Sequence, residues 1–200
     1  MDWKPSVEPN PGTQRPPRPV KIVIAGGFGV GKTTAVSAIS EIRPLTTEAA
    51  ITSVAAQIDG TADVPNKTTT TVALDFGCIT IDESVKLYLF GTPGQDRFGF
   101  MWNDISHGAL GALVIVDAAR ADDCYPAIDY FEHTDVPFVV AVNLFDGVLA
   151  NDLSELRWAL AVNDEVPLIA FDARDKLSVR DAMLAVLRHT LHRARDRRSR

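Results

Sequence analysis

The chain has 200 residues, of which 46% are hydrophobic and 23% are charged, values that are typical of a globular domain with a substantial core. Its net charge of −6 argues against a protein that binds nucleic acid. No apolar run is long enough to span a membrane, and the amino terminus lacks the apolar segment of a signal peptide. We therefore expect a cytoplasmic protein.

Composition divides the chain into three segments. Residues 1–19 contain six of the twelve prolines and are predicted to be a disordered tail. Residues 20–195 form the predicted folded domain, and residues 196–200 form a short basic tail. Two explanations fit the arginines from Arg188 onward. Their positive charges interact favourably with the negative end of a helix dipole, or they bind an acidic partner or the anionic inner face of the membrane.

The predicted elements alternate between strands and helices along most of the domain. An apolar strand over residues 20–25 precedes a helix over Thr34–Ile42, and a long polar connection then covers residues 43–71. Strands over Val72–Ile81 and Val85–Phe90 form a predicted antiparallel hairpin. The remaining elements are a short helix over residues 99–107, apolar strands over 109–116, 138–142 and 168–171, and helices over 122–133, 153–161 and 178–195.

One motif between the first strand and the first helix has a specific chemistry. The pattern Gly26-x-x-x-x-Gly31-Lys32-Thr33 in this context predicts a phosphate-binding P-loop; a glycine-rich turn beside a lysine is the simpler alternative. The glycines let main-chain N–H groups approach an anion, which also faces the positive end of the helix. Lys32 would contact the β- and γ-phosphates, and Thr33 would bind Mg²⁺. The expected nucleotide contacts are Gly26, Phe28, Gly29, Val30, Gly31, Lys32, Thr33 and Thr34.

Together, these elements predict an α/β fold of the P-loop NTPase type, a three-layer sandwich. Its sheet would have six strands, mostly parallel, with one antiparallel hairpin strand at the edge and helices on both faces. Ligands of such sheets bind beyond the carboxyl ends of the strands, and every candidate motif falls there.

The order of the motifs resembles that of the Ras-like small GTPases over residues 20–195. The segment Thr92-Pro93-Gly94-Gln95 is similar to the bacterial branch that includes the conservon GTPases of actinomycetes and the gliding-motility small GTPases. The resemblance implies a regulatory switch that binds GTP or GDP with Mg²⁺ and hydrolyses GTP, slowly without an activating partner. It also implies a roadblock-type regulatory protein and a sensor-kinase-associated complex as partners.

Two further segments bear on recognition of the base. Asn143 and Asp146 match the first and last residues of the family's Asn-Lys-x-Asp motif, although both residue types are also common in ordinary loops. The Asp146 carboxylate would accept hydrogen bonds from guanine, whereas adenine has no matching donors. Leu144 replaces the family's lysine, whose side chain braces the nucleotide. Asp172-Ala173-Arg174 matches the family's Ser-Ala-Lys segment, which implies that the Ala173 N–H points at guanine O6.

Two loops are expected to sense the γ-phosphate. Thr71 matches the switch I threonine that completes Mg²⁺ coordination; residues 68–70 are also threonines, so its register stays open, and a plain β-strand is the alternative. The N–H of Gly94 would contact the γ-phosphate, and Gln95 would orient the attacking water. Gln95 and Lys32 are thus the expected catalytic residues.

Two departures from the family pattern predict altered catalysis. Gly91 stands where relatives hold Mg²⁺ through an aspartate; Asp75 on the hairpin is the candidate to replace it, with a solvent-facing strand residue as the alternative. Phe28 replaces a glycine, and its ring would crowd the space that Gln95 needs. Two alternatives to the switch therefore stay open: a nucleotide-gated scaffold that does not hydrolyse GTP, and a P-loop ATPase.

Overall fold

The computed structural model describes residues 16–43, 45–51, 70–94, 96–145, 147, 149 and 152–199. The strands within these residues are β1 Arg18–Ala25, β2 Leu45–Ile51, β3 Thr70–Asp82, β4 Val85–Gly91, β5 Gly111–Val116, β6 Phe138–Asn143 and β7 Leu168–Phe171. They form one sheet in the order β2-β3-β4-β1-β5-β6-β7. Strands β4, β1, β5, β6 and β7 are parallel, whereas β3 is antiparallel to both β4 and β2.

The α-helices in the same part of the chain are α1 Lys32–Ile39, α2 Trp102–Ser106, α3 Tyr125–Glu132, α4 Leu153–Ala159 and α5 Lys176–Arg198. Two 3-10 helices, Asp96–Met101 and Ala118–Cys124, precede α2 and α3. Helices α1 and α5 contact each other, α5 also lies against β5 and β6, and α3 lies against β5. Among the described residues, no helix combines the length of a membrane span with enough apolar character.

The central strands are buried because their side chains are apolar on both faces. Every residue of β5 and β6 is buried, as are the last four residues of β1. This pattern is expected of parallel strands that are covered by helices, and the predicted α/β fold class is confirmed. Because the strands are parallel, their carboxyl ends lie at one edge of the sheet, and the P-loop and the segments after β4, β5, β6 and β7 gather there.

The region between α1 and β3 differs from the prediction. The sequence predicts a polar connection over residues 43–71, but Leu45–Ile51 forms β2 and pairs with β3. The described sheet therefore has seven strands rather than six, and β3 is not its edge strand. Residues 45–51 read LTTEAAI, which lacks a regular alternation of apolar and polar residues, so pairing with β3 decides their conformation.

The boundaries of helices and tails also differ. Helix α1 covers residues 32–39 rather than 34–42, and α5 covers 176–198 rather than 178–195. Three residues of the predicted basic tail, 196–198, are therefore helical. The positive charges of the arginines in the last turn of α5 stabilise this end of the helix, because they lie at the negative end of its dipole. Strand β1 begins at Arg18, inside the predicted amino-terminal tail, and residues 1–15 of that tail lie outside the described residues.

Candidate functional site

The P-loop joins β1 to α1, and its last glycine is required by geometry. Gly31 directly precedes α1 and has a φ of 109°, which L side chains rarely adopt. A methyl group built on Gly31 would lie 2.7 Å from Nδ2 of Asn143 and 3.2 Å from Cβ of Ala173. A side chain at position 31 would therefore separate the P-loop from the loops that follow β6 and β7.

Lys32 points back into the P-loop. Its Nζ donates hydrogen bonds to the carbonyl oxygens of Gly26, at 2.9 Å, and Gly27, at 2.5 Å. Burial lowers the pKa of Lys32 to about 8, although the nearby Asp75 carboxylate acts in the opposite direction. The loop thus holds a desolvated cation, which would attract a phosphate more strongly than a cation in water does.

Thr33 and Asp75 form the second polar contact of the site. The Thr33 hydroxyl donates a 2.6 Å hydrogen bond to Oδ2 of Asp75. Asp75 is only 8% exposed. Asp75 lies opposite Gly91 in the β3–β4 pair, and a methyl group on Gly91 would lie 2.9 Å from Cβ of Asp75. Because Gly91 has no side chain, Asp75 can occupy the space beside it. Asp75 is therefore buried, and the alternative of a solvent-facing strand residue is wrong.

Asn143 connects the P-loop to the loop after β7. Its side-chain Nδ2 donates to the carbonyl of Val30 at 2.9 Å, and its Oδ1 accepts from the N–H of Ala173 at 3.0 Å. The Ala173 N–H is thus occupied by Asn143 here, and the expectation that it points at guanine O6 stays a prediction. The buried Oδ1 of Asn143 requires a donor, and the Ala173 N–H is the group that supplies it.

Arg174 joins the loops after β6 and β7 through its guanidinium group. Its Nε and Nη2 bind the two carboxylate oxygens of Asp172 at 2.9 and 2.8 Å, and Nη2 also approaches the carbonyl of Leu144 at 3.4 Å. These hydrogen bonds from Arg174 lower the pKa of Asp172. Because Leu144 also donates its N–H to Phe171 at 2.8 Å, the two loops are held side by side.

Gly94, in the loop after β4, packs directly on the P-loop. A methyl group built on Gly94 would lie 2.5 Å from Nζ of Lys32, 2.8 Å from the carbonyl oxygen of Gly27 and 2.9 Å from Cα of Phe28. The Phe28 residue itself is 67% exposed. The two loops therefore meet at the lysine.

Four predicted site residues do not share these contacts. The backbone of Thr71 lies in β3 opposite Ala50, and its side chain is outside the described part of the structure. Gln95 and Asp146 also lie outside the described residues. Thr34 is exposed on the first turn of α1. The predicted roles of these four residues stay predictions.

Sequence reasoning missed a polar pair that follows β5. Asp117 accepts hydrogen bonds from the N–H of Ala119 at 3.0 Å and from Nε of Arg120 at 2.9 Å, and it caps the 3-10 helix that begins there. One sequence signal was available: Asp117 directly follows a buried strand, just as Thr92 follows β4. The Arg120 guanidinium lies beside the P-loop at Gly29.

Two proteins, one archaeal and one from a plant, are similar to this chain in sequence. An uncharacterized protein of Methanocaldococcus jannaschii is 33% identical over 129 residues, which cover 64% of this chain and 71% of that protein. The Ras-related protein RABD1 of Arabidopsis thaliana is 26% identical over 126 residues, which cover 58% of this chain and 62% of that protein. The chain thus spans less than two thirds of the Ras-related protein.

Solved structures and a family model complete the comparison. The cytosolic domain of the T. maritima FeoB iron transporter in a GDP form is 16% identical with a TM-score of 0.58, and the match covers 88% of this chain and 64% of that one. At this identity the likeness shows the fold alone, a P-loop GTPase-like fold. A family model described as "conserved hypothetical ATP binding protein" matches residues 24–194. Because that match spans most of the chain, the protein belongs to this family of conserved hypothetical ATP binding proteins.

Proposed function

We propose that the protein is a regulatory switch that binds GTP or GDP and hydrolyses GTP slowly unless a partner assists. The observation that carries this proposal is the contact between Gly94 and Lys32. A loop that is to respond to the γ-phosphate must reach the lysine that holds it, and Gly94 reaches that lysine. Nucleotide binding alone would not require a second loop at this position.

The P-loop supplies the contacts for the phosphates. Its main-chain N–H groups and the positive end of α1 would bind the phosphate oxygens, and Lys32 would add a full charge. Lys32 would exchange its present carbonyl acceptors, Gly26 and Gly27, for these oxygens. Thr34, Val30 and the loop glycines would contribute backbone groups.

Asp75 and Thr33 fit a magnesium site. Mg²⁺ is commonly held by one or two carboxylates together with phosphate oxygens, and this pair offers one buried carboxylate beside one hydroxyl. When bound, Mg²⁺ would neutralise part of the phosphate charge. Thr71 is a further threonine that we propose at this site. The Thr33 hydroxyl and the Asp75 carboxylate would supply oxygen atoms to hold Mg²⁺ there.

Guanine is the base that we propose. Asp146 would accept hydrogen bonds from guanine, and an unpaired carboxylate would penalise adenine. Asn143 would hold the base-binding loops against the P-loop, as its two hydrogen bonds indicate, and the Asp172–Arg174 pair would keep the loop after β7 beside Leu144. The FeoB domain of the comparison is a GDP form, whereas the family description names ATP, so a P-loop ATPase is the second candidate.

Hydrolysis would depend on the loop that contains Gly94 and Gln95. The Gly94 N–H would contact the γ-phosphate, and Gln95 would orient the water. The Phe28 ring, which is exposed, would limit the space for Gln95 and for an arginine from a partner. If that limitation is complete, the protein acts as a nucleotide-gated scaffold without turnover.

The proposed partners follow from the resemblance to conservon and gliding-motility GTPases. They are a roadblock-type regulatory protein and a sensor-kinase-associated complex, which would bring a cytoplasmic protein to the inner face of the membrane. The last turn of α5 carries Arg195, Arg197 and Arg198 and would favour an acidic or anionic surface.

The decisive experiment is to identify the nucleotide that copurifies with the protein and then to compare single-turnover hydrolysis of GTP and ATP. We expect guanine nucleotide and slow GTP turnover. The Asp146→Ala variant should lose the preference for GTP over ATP, and Lys32→Ala should lose both nucleotides. Copurified adenine nucleotide would favour the ATPase, and GTP binding without any turnover would favour the scaffold.

A further inference from the structure

The Arg120 guanidinium lies against the P-loop. A methyl group built on Gly29 would lie 3.5 Å from Nη2 of Arg120 and 3.9 Å from its Nη1. The φ of Gly29 is 75°, so the backbone conformation also favours glycine there. Arg120 and Gly29 are 91 positions apart in the chain, and the sheet order brings them together because β5 is the neighbour of β1.

Two carboxylates hold the guanidinium in this position. Nε of Arg120 donates to Oδ2 of Asp117 at 2.9 Å, and Nη1 lies 3.7 Å from Oδ2 of Asp123. Asp117 is buried, whereas about half of the Arg120 side chain is exposed. The hydrogen bond with Asp117 raises the pKa of Arg120. The side chain is therefore a permanently charged group with a fixed position and an open face.

The position of Gly29 along the P-loop indicates which part of a nucleotide lies nearest. Gly27 and Phe28 contact Gly94, on the side where the γ-phosphate would be. Gly31 contacts Asn143 and Ala173, on the side where the base would be. Gly29 lies between these two contacts in the loop, so the parts of the nucleotide nearest to it would be those that GDP and GTP share.

Residue 144 leaves the loop after β6 without a cationic side chain at that position. The family resemblance implies a lysine that braces the nucleotide at this position, and the chain has Leu144. In the sheet, β5 lies between β1 and β6. The segment that carries Arg120 therefore emerges between the P-loop and the loop that carries Leu144.

We propose that Arg120 replaces the missing lysine by covering Gly29 and donating from its Nη2 to the diphosphate part of the bound nucleotide. This inference rests on the proposed nucleotide binding. It makes Arg120 a binding residue for GDP and GTP alike, and it assigns Arg120 no part in the hydrolysis step. An ordinary surface ion pair that only stabilises the segment after β5 is the competing explanation.

The test measures the dissociation constants of GDP and of a non-hydrolysable GTP analogue for wild type, Arg120→Gln and Arg120→Gln with Leu144→Lys. Arg120→Gln keeps an amide that can donate to Asp117. We expect both affinities to fall by about tenfold in Arg120→Gln, the equivalent of one charged hydrogen bond. Leu144→Lys should restore most of the affinity, because it returns a cation from the neighbouring loop.

The matched control is Arg197→Gln, which removes an arginine of similar exposure that pairs with Asp135 at 2.8 Å. It should leave both affinities unchanged. Equal affinities of wild type and Arg120→Gln would overturn the inference. A loss of affinity that Leu144→Lys does not restore, together with a lower melting temperature of Arg120→Gln without nucleotide, would also overturn it. That result would indicate a structural role for Arg120. Failure of the wild type to bind any nucleotide would instead refute the proposed function.

Discussion

The Thr33 hydroxyl donates a 2.6 Å hydrogen bond to the carboxylate of Asp75, although 41 residues separate them in the chain. Thr33 belongs to the P-loop motif, and Asp75 lies in β3 opposite Gly91 of β4. Relatives of the family that the sequence resembles have an aspartate where this chain has Gly91. A carboxylate is therefore present on the neighbouring strand, and Gly91 leaves room for it.

This relationship predicts the effect of exchanging the two residues. Asp75→Gly should weaken Mg²⁺-dependent GTP binding by about tenfold or more, because it removes the charged acceptor beside Thr33. The double variant Asp75→Gly with Gly91→Asp should restore binding, because the carboxylate returns from the opposite strand. Titration of a fluorescent GTP analogue with Mg²⁺ and with EDTA measures both effects. Equal binding by wild type and Asp75→Gly in Mg²⁺ would contradict the assignment.

Asn143→Ala should destabilise the protein as well as weaken nucleotide binding. The substitution leaves the buried carbonyl of Val30 and the N–H of Ala173 without their partner, and each such group costs about 1–3 kcal/mol. We expect the free energy of unfolding to fall by about 2–4 kcal/mol, as measured by urea denaturation. Asn163→Ala, in an exposed turn where the side chain accepts from the N–H of Glu165, is the control and should cost less.

Gly94→Ala should impair the response to the γ-phosphate. The added methyl group would overlap Nζ of Lys32 and the carbonyl of Gly27, so one of the two loops must move. Overpacking of this kind costs about 1–3 kcal/mol, and we expect GTP-analogue affinity to fall more than GDP affinity. Gly99→Ala is the matched control, because no atom of the described residues other than its chain neighbours lies within 4 Å of a methyl group built there. An equal loss for both nucleotides would argue against a γ-phosphate contact.

Phe28→Gly should accelerate hydrolysis. Removing the exposed Phe28 ring would open the space that we expect Gln95 to need, and a misplaced catalytic group costs about a hundredfold in rate. We expect single-turnover GTP hydrolysis to rise by about tenfold or more. Phe100→Gly removes another exposed ring, 65% accessible, and should leave the rate unchanged. A fast wild type, or no difference between wild type and Phe28→Gly, would refute the steric argument.

The parts of the fold that the sequence predicted well are those with a strong local pattern. Strands β5 and β6 are continuous apolar runs, and the P-loop glycines mark the turn between β1 and α1. Strand β2 was missed because residues 45–51 have no regular alternation and depend on pairing with β3. The helix ends differ from the prediction by up to three residues, since the sequence pattern does not mark where the last hydrogen bond of a helix forms.

The sequence by itself determined the P-loop, the parallel core and the loops that would surround a nucleotide, because glycine spacing and apolar periodicity are local properties. It also indicated Asp75 as the candidate to replace the aspartate missing at position 91. Only the tertiary structure decided that Asp75 is buried against Thr33, that the Ala173 N–H binds Asn143, and that Arg120 covers Gly29. Each of these contacts depends on the register and order of strands that are far apart in the chain, and no local pattern encodes that register.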